Sequence, residues 1–314
     1  MLSRIAESLY WMGRYLERAD DTARILDVHL HRSLAESIDE ELGVRSLATM
    51  GLDAGAVMDE DPPGGPLDLW RATDVLAYDV GNPSSVAGSL ELARANARGL
   101  RETLASEVWE AINRTHHELE GQVLAARSMG PHLFFRWVRD RVAQVGGLFD
   151  SVVLHDDGWR FFTIGRCLER VDMTSRLLGG VASSTAPGQW AGVLISCGAY
   201  DAFLRTHGGD ISRARALGLV LQAPDLPRSV VFALTQAEAC LRQVARADSS
   251  ADPAERELGR MRSELVYAGA DELTPTCEPV LERLQEACRR ADEMIRARYF
   301  RRADLIEWHP EAAS

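Results

Sequence analysis

Residues 13–26 read GRYLERADDTARIL, and residues 165–178 read GRCLERVDMTSRLL. The two blocks lie 152 positions apart and agree at nine of fourteen sites. Both sit inside a helical pattern. Ile5, Leu9, Met12, Leu16, Ala19, Ala23, Leu26 and Leu30 follow steps of four and three, which predicts one amphipathic helix of nearly thirty residues. Phe161, Ile164, Leu168, Val171, Ser175 and Leu178 carry the same phase in the second block. A chain that writes one long helix twice in one phase must pack two such helices, so the repeat constrains the fold more than any other feature.

A second stretch repeats more loosely. NPSSVAGSLELARANARGL (82–100) aligns with LPRSVVFALTQAEACLRQV (226–244) at an offset of 144. Pro, then Ser, then an apolar period marks a helix start in each. The offset falls by eight because the first half carries a longer acidic Gly/Pro loop, GLDAGAVMDEDPPGGP (51–66). Helices are predicted near 99–128, 131–154, 190–206, 210–221, 256–268 and 276–302, and no alternating strand pattern stands out. The expectation is an all-α fold, a helical bundle built from two pseudo-symmetric repeats of about 150 residues: 1–152 and 153–314, packed as one unit.

The net charge is −12, with no basic stripe, which argues against nucleic acid as a partner. All 35 basic residues are Arg, so neither a Schiff-base lysine nor a Walker A lysine is available. The five cysteines lack CxxC spacing, which fits a reducing compartment. Arg4 and Glu7 interrupt any leader-like run, and no stretch of 18 apolar residues predicts a membrane span. A cytoplasmic protein is expected.

On a helical wheel Arg14, Glu17, Asp20, Asp21 and Arg24 fall opposite the apolar sector, with Arg18 flanking it. The second block keeps Arg166, Glu169, Arg170, Asp172 and Arg176 in the same relation. Three readings stay open. The charges can form a solvated face of weak ion pairs. They can form a buried polar seam where the two helices meet. They can form a site in which Arg forks receive carboxylate or phosphate. A solvated face explains poorly why two otherwise drifted halves agree.

GRxLERxDxTxRxL, present twice, resembles the signature of the alpha-E family, bacterial helical proteins named for a Glu-Arg motif. NPSSV (82–86) followed by ARANARGLRETLASEVWEAIN (93–113) resembles a second stretch of that family. The resemblance implies an all-helical fold and a setting beside circularly permuted ATP-grasp ligases and transglutaminase-like peptidases. It implies ATP-driven amide chemistry on peptides, with no reaction assigned to the helical protein itself.

Other constellations are weaker. His116, His117 and Glu120 do not make a metal set, and His29 and His31 read as exposed on opposite faces. No metal, cofactor or nucleophile motif is present. Cys167 reads as a packing residue, since Tyr15 holds its place in the first block. Asn82, Ser84, Arg228 and Ser229 mark helix N-termini that could seat an anion, although capping by Asn82, Ser84 or Asp225 explains them more simply. The leading expectation is an accessory or scaffold protein binding a partner ligase, its peptide substrate, or both, through the two Glu-Arg helices. The alternatives are an enzyme of peptide or amide chemistry with Glu17 or Glu169 as a general base of raised pKa, and a purely structural helical protein.

Overall fold

The computed structural model describes residues 3–36, 39–52, 68–245 and 252–300, and among these no strand occurs. Helix α1 (Ser3–Glu36) and helix α7 (Asp157–Gly179) form the central pair. Every apolar stripe residue named for the two blocks is buried except half-buried Ile5. Asp156 starts α7 by accepting hydrogen bonds from the backbone N–H groups of Gly158 and Trp159.

Around this pair other helices pack in turn on α1 and on α7. Helix α2 (Asp39–Thr49) packs on α3 (Leu69–Thr73), which runs into a π turn, Asp74–Tyr78. Helix α4 (Val86–Arg98) lies on α1, and α5 (Ser106–Met129) packs with α6 (His132–Val152), which also touches α1. After α7 come α8 (Pro187–Ser196), α9 (Tyr200–His207) and α10 (Arg213–Leu217), the last also running into a π turn, Gly218–Gln222. Helix α11 (Val230–Val244) lies on α7 as α4 lies on α1. Helices α12 (Pro253–Tyr267), α13 (Ala270–Leu273) and α14 (Cys277–Ile295) follow, with α12 against α14 and α14 against α7. One continuous apolar core joins residues from Ala6 to Phe300.

The helix starts after the two prolines are built alike. Ser85 caps α4 by accepting from Gly88 N, and its hydroxyl donates to Asp79 O. Ser229 caps α11 by accepting from Phe232 N, and its hydroxyl donates to Ala223 O. The caps are therefore Ser85 and Ser229, not Asn82, Ser84 or Asp225. Asn82 instead holds the turn, accepting from Ser84 N and donating to Val75 O.

Three expected helices shift. The one expected from 99 starts at Ser106, because residues 99–105 form a turn in which Thr103 bonds back to Leu100 O. The one expected over 190–206 begins at Pro187 and divides into α8 and α9, since Gly198 takes φ +61°. The last runs on through a π turn, Arg296–Phe300, and its expected end at 301–302 lies outside the described residues. Most of the acidic loop at 51–66 also lies outside them.

Candidate binding site at the paired Glu-Arg helices

The charged blocks meet because each opens with glycine. A Cβ on Gly13 would lie 2.3 Å from Phe162 O, and one on Gly165 would lie 2.1 Å from Tyr10 O. The backbones of α1 and α7 therefore touch, and each guanidinium reaches the other helix. Arg14 Nε donates to Glu169 Oε2 at 2.5 Å and Arg18 Nε to Glu169 Oε1 at 2.6 Å. Reciprocally, Arg166 Nε donates to Glu17 Oε2 at 3.1 Å and Arg170 Nε to Glu17 Oε1 at 2.7 Å. Arg18 also donates to Pro83 O and Arg170 to Pro227 O, tying the first motif to the start of α4 and the second to that of α11. Within each block a local pair persists: Arg24 with Asp20, and Arg176 with Asp172.

Both glutamates are 1% exposed. The wheel put them opposite the apolar stripe, yet neighbouring helices cover that face too. Burial alone would raise the Glu17 carboxyl, but Arg170, Arg166 and Arg228 override it and hold it at about 2. Arg14 and Arg18 do the same for Glu169, also at about 2. This corrects the expectation of a raised pKa. A carboxylate so firmly ionised and already doubly hydrogen-bonded is a poor general base.

The two ends of the seam differ. Beside Glu17 the space is filled. A Cβ on Gly146 of α6 would lie 3.1 Å from Arg166 NH1, so α6 backs closely onto that guanidinium. Arg228 enters from the start of α11 and binds Asp20 at 2.9 Å, Asp21, and the Cys197 carbonyl at 3.1 Å. Arg228 is thus an internal partner of acids and not an anion seat, and the Ser229 hydroxyl is taken up by its own backbone. Asp21, desolvated and crowded by Glu17 and Asp20 despite Arg228, is raised to about 7.

Beside Glu169 the position matching Arg228 is Ser84, and the space stays open. A cleft of about 460 Å³ is lined by Trp11, Arg14, Arg18, Asp172, Arg176 and the face of α14 from Glu282 to Asp292. Arg14 reaches Asp292 across it at 3.1 Å, and Tyr10 donates to the same carboxylate. Arg176 and Arg289 bring further guanidinium groups, while Asp172, Glu282 and Glu286 bring carboxylates. A cleft that offers both signs of charge beside an indole suits a ligand carrying both a carboxylate and an amine.

The remaining expected positions resolve as follows. His29 is buried, not exposed: its Nδ1 lies 2.6 Å from Ser46 Oγ, and burial lowers it to about 3. His116 stands 2.5 Å from Glu91 and not against Glu120. Cys167 is buried in the core. The motif reading passed over the role of Arg228, of Asp292, and of a cluster of Asp27, His31 and His132. Only the glycines had a signal: a helix-interior Gly written at the same place twice.

A family model described as a predicted alpha-helical domain with a conserved ER motif matches residues 1–300. Uncharacterized proteins of Mycobacterium bovis and Mycobacterium tuberculosis are 25% identical over 295 residues, covering 86% of this chain and 33% of theirs. The chain thus spans about a third of the length of these curated relatives. No solved structure matches it.

Proposed function

Since the chain belongs to the Alpha-E family, we propose that it is an accessory binding protein of a bacterial peptide-modification or peptide-synthesis system. It presents a peptide end to a partner amide ligase of the ATP-grasp type, with a transglutaminase-like peptidase in the same system. The observation that carries this reading is the inequality of the seam. The Glu17 end is closed by α6 and Arg228, whereas the Glu169 end opens into a cleft lined by Arg14, Arg18 and Arg176. In this reading Arg18, Arg176 and Arg289 receive the carboxylate, and Asp172, Glu282 or Glu286 receives the amine. The relatives support a modular role, since this unit accounts for about a third of their chains. A cytoplasmic setting is part of the proposal and is supported by five buried, unpaired cysteines.

Arg176→Ala and Arg289→Ala remove charge from the cleft without touching Glu169. Calorimetry should show a short peptide with a free carboxylate binding wild type, with at least tenfold weaker binding to either variant and to the peptide's C-terminal amide. ADP release by the partner ligase should rise when the chain is added and should fall with the variants. Peptide binding indifferent to both substitutions and to amidation would overturn the reading.

A further inference from the structure

Away from the cleft, two imidazoles converge on one carboxylate. Asp27 is buried on α1, His31 stands one turn further along the same helix, and His132 is the first residue of α6. Asp27 Oδ1 lies 2.7 Å from His132 Nδ1 and 3.5 Å from His31 Nδ1. The two rings meet edge to face with centroids 5.0 Å apart. One ligand atom from each residue lies within 4.8 Å of the other two.

We propose that Asp27, His31 and His132 bind a divalent transition-metal ion of the zinc class. Nitrogen and carboxylate ligands hold zinc at about 2.0–2.1 Å in a tetrahedron, whose edges are then about 3.4 Å. The carboxylate–imidazole separations, 2.7 and 3.5 Å, bracket that edge; His31 Nδ1 also lies 2.7 Å from the Asp27 carbonyl oxygen, a hydrogen bond that the ion would replace. His and carboxylate are the donor set that suits zinc, cobalt or nickel better than calcium or magnesium. The second oxygen of Asp27 faces Arg139 NH1 at 3.6 Å, an outer contact that orients the carboxylate and leaves Oδ1 for the ion. Both imidazoles are largely exposed, at 61% and 58% of their side-chain surface, which gives the ion a path in and leaves a position for water or a ligand. The ion would also tie the later part of α1 to the start of α6. Asp27 lies nine residues beyond Arg18, roughly 14 Å along the helix, so this site is separate from the cleft.

Titrating the metal-stripped full chain with Co²⁺ tests it. The expected result is one equivalent bound with visible d–d absorption, no thiolate charge-transfer band, and displacement by Zn²⁺. His31→Ala and His132→Ala should each weaken binding at least tenfold, and Zn²⁺ should raise the melting temperature of wild type but of neither variant. His31 is exposed, so His31→Ala serves as the test should His132→Ala fail to fold. The absence of saturable binding to wild type in millimolar Zn²⁺, or undiminished binding by His31→Ala, would overturn the proposal. Peptide binding in the cleft should be the same with and without the ion.

Discussion

Arg18 does not pair with an acid one turn away on its own helix; its Nε binds Glu169, 151 residues later, at 2.6 Å. Arg170 returns the bond to Glu17. Two helices that each carry Glu next to Arg could satisfy those charges locally and weakly. Crossing backbone to backbone, they exchange partners instead, and the glutamate of each exchange is buried.

Such pairs are costly to break from one side. Glu169→Gln takes the charged partner from Arg18 and leaves Arg14 only Asp292, and Glu17→Gln takes it from Arg166 and Arg170. Each is expected to cost about 3–5 kcal/mol of folding stability, read from chemical denaturation. A loss within experimental error for either would show that the ladder contributes nothing to the fold.

The crossing itself depends on two missing side chains. Gly13→Ala must displace the Phe162 carbonyl, and Gly165→Ala the Tyr10 carbonyl. Both are backbone atoms that cannot swing aside. Each substitution is expected to cost about 3 kcal/mol, more than the helix-propensity gain returns. Gly121→Ala is the control, since nothing lies within 4 Å of its added Cβ. It should be neutral or stabilising.

Stability should peak in mild acid. Glu17 and Glu169 are held at about 2, below their ordinary 4.5, so their ionised forms stabilise the fold above pH 4.5. That contribution is lost as the pH falls toward 2. Asp21 runs the other way. Raised from 3.8 to about 7, it contributes fully below pH 3.8 and loses that contribution as the pH rises through 7. His29, lowered from 6.5 to about 3, adds a contribution that is lost as the pH falls below 6.5 and so offsets Asp21 between pH 4.5 and 6.5. Melting temperatures scanned from pH 3 to 9 should rise to about pH 4.5, hold level to about 6.5 and then fall. In Asp21→Asn the level stretch should become a rise up to about pH 6.5, and the decline beyond it should disappear. An unchanged alkaline slope in that variant would assign the decline to another group.

Arg228 and Asp21 should be strongly coupled. Arg228→Ala strands Asp20 and Asp21, whose Oδ1 and Oδ2 atoms respectively already lack partners. It is expected to cost about 3–5 kcal/mol. Adding Asp21→Asn removes one stranded charge and should recover about 1–3 kcal/mol in a double-mutant cycle at pH 8. Strict additivity of the two changes would contradict a shared network.

Local rules made much of this protein legible. Steps of three and four placed α1 and α7, and the Pro-Ser starts of α4 and α11 were found to within a few residues. The Asp20–Arg24 and Asp172–Arg176 pairs follow from helical spacing alone. The same rules misplaced His29, because a helix wheel divides a cylinder into a wet and a dry side. Helix α1 has scarcely any wet side: α4, α6, α7 and α8 all pack against it.

The amino-acid order by itself determined which segments coil, which faces are apolar, and that acid and guanidinium recur in one phase on two helices. Those are short-range matters of periodicity, capping and propensity. Only the tertiary structure decided that Glu17 belongs to Arg166 and Arg170, that Arg228 fills one end of the seam while the other stays open, and that Asp27 meets His132. Each joins groups more than a hundred residues apart, and their meeting depends on where two backbones cross, which no local spacing encodes.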